Sequence, residues 1–232
     1  MTIAIMQPYF FPYIGYFQLI AAVDKFVIYD DVNYINRGWI NRNNVLVDGK
    51  SSLVTLPLKA ASQNKKIYEI DVNNEGKEIS KLLNTINVAY KKAPFFNPVF
   101  ELIEQIFAEP SKNIAAFNIR QLKLICNYCG ITTHFIDSSR IYSNSNLRGA
   151  DRILDICLQE SANRYINPIG GTELYDKNSF NEKAIDLFFI KSLLTEYKQF
   201  NHSFVPWLSV IDILMFNSVE QTGQILKQYQ LV

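Results

Sequence analysis

The side chains that do chemistry fall in a few clusters. The first is Gln7-Pro8-Tyr9-Phe10-Phe11-Pro12-Tyr13-Ile14-Gly15-Tyr16. The rings of Tyr9, Phe10, Tyr13 and Tyr16 are flat faces on which a base or sugar stacks, and Gln7 supplies an amide. Gly15 lets a ligand come close to the backbone where a helix begins, and helix N-terminal N–H groups bind phosphate. The second cluster is Asp30-Asp31-Val32-Asn33 followed by Arg37-Gly38-Trp39-Ile40-Asn41-Arg42-Asn43. Adjacent carboxylates after a strand hold a metal, take a proton or bind a sugar hydroxyl. Arg37 and Arg42 suit bidentate contacts to phosphate or carboxylate. Trp39 between them is more than a solvated Asp-capped loop requires.

Single residues elsewhere join as candidates. Lys59 follows Leu56-Pro57-Leu58 at a strand end, and Arg148 opens Arg148-Gly149-Ala150-Asp151-Arg152, where Arg148 and Arg152 share a helix face. Gly170 and Gly171 form a glycine loop at another strand end, suited either to a ligand's approach or to a tight turn. His202, in a polar loop before Phe204-Val205-Pro206-Trp207, is a candidate base beside Asp30 and Asp31. His134, beside a strand, reads as packed or solvated. Cys126 and Cys129 have CxxC spacing, but they close a helical pattern, where a redox pair would open one, so they read as small core residues. No P-loop, GxGxxG, HExxH or Ser–His–Asp order appears.

These residues need elements to hold them. An apolar strand over residues 2–6 is broken by two prolines and a glycine. A helical period then runs from Tyr16 through Phe17, Leu19, Ile20 and Val23, and a second apolar strand covers residues 26–29. Strand, turn, helix and strand within ~30 residues is one βαβ unit, which implies a parallel pair with the loop at its carboxyl edge. Residues 33–50 read as a polar loop and 52–58 and 67–72 as strands. Three helices fill residues 77–129, a helical subregion within one α/β domain spanning 1–232. Strands follow at 132–136, 164–167 and 185–190, with a helix at 151–158 and two closing helices at 208–216 and 219–229. The expected architecture is α/β, with a Rossmann-like parallel sheet, a helical middle and a C-terminal helical cap. The opening turn has the geometry of nucleotidyltransferases, in which a strand runs into a His-x-Gly-His helix start. Here the four residues are Tyr13-Ile14-Gly15-Tyr16, so the histidines of phosphoryl transfer are absent.

Composition bounds the function. With 23 Lys and Arg against 22 Asp and Glu, the chain is no nucleic-acid wrapper or polybasic membrane binder. No run approaches the ~20 apolar residues of a membrane span, and the first residues lack a basic signal-peptide start, so the cytoplasm is expected. Three cysteines make no disulfide framework. No metal or cofactor is expected, and the oligomeric state is left open.

The chain also resembles the WbqC-like family of bacterial surface-polysaccharide gene clusters. The matching stretches are Met6 to Ile20, Asp24 to Val32, and Trp39-Ile40-Asn41-Arg42-Asn43, with Tyr197 and Gln199 and Phe204 to Leu214 near the end. The region after Gly170-Gly171 matches more loosely, and Lys198 stands where the family usually has a proline. The resemblance implies a place among O-antigen and related glycan genes, beside amino-sugar nucleotide enzymes. Transfer of an acyl or aminoacyl group to the amine of a nucleotide-linked amino sugar fits that setting, with an acyl carrier or similar donor as second partner. A nucleotidyltransferase-like enzyme and a non-catalytic nucleotide-sugar binding protein are the alternatives. On the acyltransferase reading Asp30, Asp31 or His202 supplies the base. The substrate contacts fall to Gln7, Tyr9, Tyr13, Gly15, Tyr16, Trp39, Asn41, Arg42, Lys59, Arg148, Gly170 and Gly171.

Overall fold

The computed structural model describes every residue of the chain except His202. Strand β1 (Thr2–Met6), helix α1 (Ile14–Ala21) and strand β2 (Lys25–Ile28) form the expected unit, and β1 pairs with β2 in parallel, Ile3 opposite Lys25 and Met6 opposite Ile28. An antiparallel excursion follows. Strands β3 (Arg42–Val47) and β4 (Lys50–Thr55) make a hairpin, and β5 (Leu58–Lys59) pairs with β6 (Asp71–Val72). Helices α2 (Glu78–Tyr90), α3 (Phe96–Phe107) and α4 (Ile114–Tyr128) come next. The chain then returns through β7 (His134–Ile136), α5 (Gly149–Gln159), β8 (Arg164–Pro168), α6 (Lys177–Asn181) and β9 (Asp186–Ser192). It ends with α7 (Val210–Phe216), α8 (Val219–Ile225) and β10 (Tyr229–Leu231).

The central sheet has the order β10-β9-β8-β1-β2-β7, parallel throughout except for β10. From β1 the chain steps to β2 and β7 on one side, then returns to lay β8 and β9 on the other. The winding direction reverses between β1 and β8, so a crevice opens outside their carboxyl ends. Side chains alternate across the sheet as the two-residue period requires. Ala4, Phe26 and Ile28 join the core of α1 and the middle helices, while Ile3, Ile5, Val27 and Phe189 pack with α5 and α6 on the opposite face. Helix α1 is buried on every side, including Gln18, whose amide donates to the carbonyls of Ile225 and Gln228.

Several readings of the sequence need correction. Residues 33–50 are not all loop, because Asp48 and Gly49 take left-handed φ values of 50° and 73° and turn β3 into β4. Residues 67–72 form one tight 3₁₀ turn (Ile67–Glu69) before the short β6, since Ile67 and Ile70, three apart, are both buried. The strand expected over 52–58 is Lys50–Thr55, ending before Pro57, which lacks an N–H for the ladder. The last helix stops at Ile225, and the C-terminus is an edge strand on β9.

The segment between β1 and α1 is buried yet irregular. Pro8, Phe10 and Phe11 are inside, and Phe11 takes a left-handed φ of 38°. Buried carbonyls outside regular structure need partners, and here side chains reach in for them. Asn118 donates to Pro8 O and Ile40 O at 2.8 Å each, and Gln121 donates to Tyr9 O at 2.7 Å while accepting from Phe11 N. Asn43 donates to Phe10 O and Phe11 O, Tyr16 Oη to Gln7 O, and Val210 N to Pro12 O. Asn118 and Gln121 lie on α4 and are completely buried.

A second buried knot fastens the C-terminal part. The carboxylate of Asp212 on α7 accepts from Tyr197 Oη and Gln199 Nε2 at 2.6 Å each and from Tyr90 Oη at 2.9 Å. Burial raises its pKa above the ordinary carboxylate value, with the three donors opposing.

Two outcomes are expected. Asn118→Ala leaves two buried carbonyls unpaired and costs about 1–3 kcal/mol for each in urea denaturation. For Asp212, the raised folded pKa means the unfolded chain ionises first. Its contribution is fully present below the unfolded value of about 3.8 and declines as pH rises through the folded one. The stability difference between wild type and Asp212→Asn, followed by thermal unfolding from about pH 4 upward, therefore shifts toward the variant as pH increases.

Candidate functional site

Two cavities open at the carboxyl edge of the sheet and share one wall. The first, about 560 Å³, lies at the winding reversal. Gln7 enters it from the end of β1, Tyr29 from β2, and Asn167, Gly170 and Gly171 from β8 and the turn after it. Gly149, the first residue of α5 with a left-handed φ of 54°, lies on its rim. No side chain caps that helix, whose first turn carries Asp151. The Gln7 Oε1 atom is buried without a hydrogen-bond partner among the described residues. Burial pushes the phenols of Tyr29 and Tyr175 up, with Arg152 opposing at Tyr29. Both residues line the cavity.

The second cavity, about 460 Å³, is aromatic. Tyr13, Trp39 and Trp207 line it, with Lys191 at the edge of β9. Tyr9 lines both cavities and separates them. Its phenol pKa is raised by burial and then by the neighbouring Tyr13.

The glycines have particular jobs. A methyl group on Gly15 would lie 2.4 Å from the Tyr13 ring, so this position admits Tyr13 rather than a ligand. A methyl group on Gly171 would lie 2.0 Å from the Asn167 amide, so Gly171 makes room for a side chain of the first cavity. Gly170 is exposed, with open space around it.

The remaining expected site residues sit elsewhere. Tyr16 is buried and spends its hydroxyl on the turn. Asn41 accepts from Tyr34 Oη and donates to Leu56 O, bracing the hairpin. Arg42 donates to the carbonyls of Gly38 and Arg37 and holds the loop of Trp39. Lys59 pairs with Glu75 at the surface, 2.8 Å away, outside both cavities. Arg148 is exposed next to Gly149 and has no ion-pair partner among the described residues. His202 lies outside the described residues.

Asp30 and Asp31 are almost fully buried, and neither lines either cavity. Asp30 accepts from Ser138 Oγ at 2.7 Å and the Ser139 amide, and faces Arg140 at 3.6 Å. Burial raises its pKa, and Ser138 and Arg140 pull it back. Asp31 accepts from Ser139 Oγ and pairs with the buried Arg152, whose guanidinium also lies 5.0 Å from the Tyr29 ring centre. The pair thus ties the end of β2 to the turn after β7 and to α5. Arg152, read from the sequence as sharing a face with Arg148, is the buried partner of Asp31. Of the loop from Asp30 to Arg42, Trp39 reaches the aromatic cavity and Val32 and Ile35 the first.

Sequence reasoning passed over Trp207, Asn118, Gln121 and the site role of Tyr29. Trp207 carried a legible signal, as a Trp after a proline in a polar loop. The amides carried none, being ordinary polar residues within a helical pattern.

Residues 7–224 match the family described as WbqC-like, and the chain belongs to that family. It is similar to an uncharacterized protein of Mycobacterium tuberculosis, 30% identical over 216 residues, covering 91% of this chain and 92% of the relative. No solved structure matches. No helix among the described residues is long and apolar enough to cross a membrane.

If Asp31 and Arg152 act as a structural tie, Asp31→Ala and Arg152→Ala each destabilise by about 3–5 kcal/mol, because each strands a buried charge. The double variant costs less than the sum, as a double-mutant cycle in urea would register.

Proposed function

We propose that this WbqC-like chain binds a nucleotide-linked sugar across the carboxyl edge of its sheet and serves surface-polysaccharide synthesis. Its proposed reaction is acyl or aminoacyl transfer to the sugar's amine. The observation that carries the reading is the first cavity. It lies where β1 and β8 diverge, the place where doubly wound, Rossmann-like sheets receive nucleotides. Its volume suits a small-molecule site of ~300–1,000 Å³. The uncapped start of α5 and the exposed Arg148 next to it suit a diphosphate. Tyr29 and Tyr9 offer faces to a base, and Gln7 an unused amide oxygen.

In the transfer, the amine nitrogen attacks the thioester carbonyl. A C–N bond forms, the C–S bond breaks, and the ammonium proton passes to the departing thiolate. The protein would hold the two reactants together, which is itself a large part of such catalysis.

A second reading, binding without turnover, has its own support. The described residues lining the two cavities include no carboxylate and no imidazole, and Asp30 and Asp31 are occupied elsewhere. The nucleotidyltransferase alternative is weaker, since Tyr13 and Tyr16 stand where its histidines would be and Tyr16 is buried.

Thermal shift against UDP, dTDP and their amino-sugar conjugates tests the binding, because a ligand held by the folded state raises Tm. A Tm rise with the diphosphates that is lost in Arg148→Ala supports the assignment, and flat melting curves throughout refute it. Product formation with an acyl-carrier or pantetheine thioester then separates the enzyme from the binding protein.

A further inference from the structure

The aromatic cavity contains a feature that folding alone does not explain. Trp207 has a φ of 59°, the left-handed region that a bulky side chain enters only under constraint. The residue nevertheless remains 53% exposed, so burial offsets the strain less than at the fully buried Phe11. Trp39 is likewise 45% exposed, at the mouth of the same cleft. Strained backbone that presents an exposed aromatic ring to a concave site is the pattern of a binding residue.

The surroundings reinforce this. Tyr13 meets the Trp207 ring edge to face, with ring centres 6.1 Å apart and planes at 72°. Gly15 clears the space that Tyr13 needs. The hydroxyls of Tyr9 and Tyr13 and both indole N–H groups make no hydrogen bond with another described residue. The cleft therefore offers flat apolar faces edged by free polar groups, with Lys191 as the one charged side chain among its described lining. A pyranose ring is complementary to this, with an apolar C–H face and a rim of hydroxyls. An acyl chain would leave the polar edges unpaired.

We infer that the cleft between Trp39 and Trp207 seats the pyranose ring of the substrate, stacked on the indoles and gripped at its rim by Tyr9 and Tyr13. Tyr9 is then the boundary between sugar and diphosphate. The link to a diphosphate rests on the nucleotide reading of the first cavity, whereas the stacking platform does not.

Tryptophan emission tests it, because the chain has two Trp and both line this cleft. The probes are N-acetylglucosamine, methyl α-glucopyranoside, UDP, UDP-N-acetylglucosamine and butyryl-pantetheine. The monosaccharides and the sugar nucleotide are expected to change the emission saturably, while UDP raises Tm and leaves it unchanged. Trp207→Ala is expected to weaken the sugar nucleotide at least about tenfold and leave UDP affinity within about twofold. Trp207→Gly removes indole and strain together, the relief of strain opposing glycine's extra freedom in the unfolded chain, and is expected to melt close to wild type.

Unchanged emission with every sugar overturns the inference, and UDP binding in that case leaves the nucleotide reading standing. Sugar-induced change without any response to UDP supports the platform and removes the nucleotide reading. A response to butyryl-pantetheine alone overturns the inference in favour of the acyl donor. A Tm for Trp207→Gly lower than that of Gly substitutions at other exposed loop positions overturns it by showing that the indole supports the fold.

Discussion

A buried turn rich in proline cannot satisfy its own backbone, and this constraint organises the molecule. Between β1 and α1 the chain passes through the interior with no helix or ladder to take its carbonyls. Asn43, Asn118, Gln121 and Tyr16 take them instead, and Val210 takes the carbonyl of Pro12. Apart from Tyr16 of α1, these partners come from the hairpin, from α4 and from the C-terminal segment. The middle helices and the tail therefore cannot dock independently of the turn. In return they fix it, so that its side chains divide between the core and the cavities. Phe10 and Phe11 go inward, and Tyr9 and Tyr13 outward to the cavities.

The same anchoring explains why the working edge contains little acid or base. Its carboxylates serve as ties. Asp31 with Arg152 joins β2 to α5, Asp30 with Ser138 and Arg140 secures the turn after β7, and Asp212 takes two donors from the tail and a third from Tyr90 of α2. A buried ion held by good partners gains specificity of arrangement more than stability. Among the described residues, what faces the cavities is mainly aromatic, amide and glycine, with Lys191 as the one charged side chain. The uncapped start of α5 lies at the rim of the first cavity.

Strain is distributed in the same way. Phe11 takes its left-handed conformation with full burial and two bracketing amides, so packing offsets it. Trp207 takes a similar conformation at a half-exposed position, where packing offsets it less. That contrast singles out the aromatic cleft.

Local patterns were readable from the residues themselves. The period of the apolar residues gave β1, α1, β2 and the three middle helices. Prolines and glycines located the turn after β1 and the loop after β8, so Gln7, Tyr9, Tyr13, Gly170 and Gly171 could be placed at one edge. The Asp48-Gly49 turn between apolar runs was equally local and was passed over among its polar neighbours. What the residues could not reveal alone was which polar group meets which. Asp31 reads as a base or as half of an ion pair according to whether Arg152, 121 positions away, reaches it. Asn118 reads as a helix-surface residue until the carbonyl of Pro8, 110 positions away, is placed over it. Periodicity is fixed by backbone geometry over a few residues and is legible in order along the chain. The pairing of buried polar groups is fixed by the crossing of distant segments, and only the tertiary structure decides it.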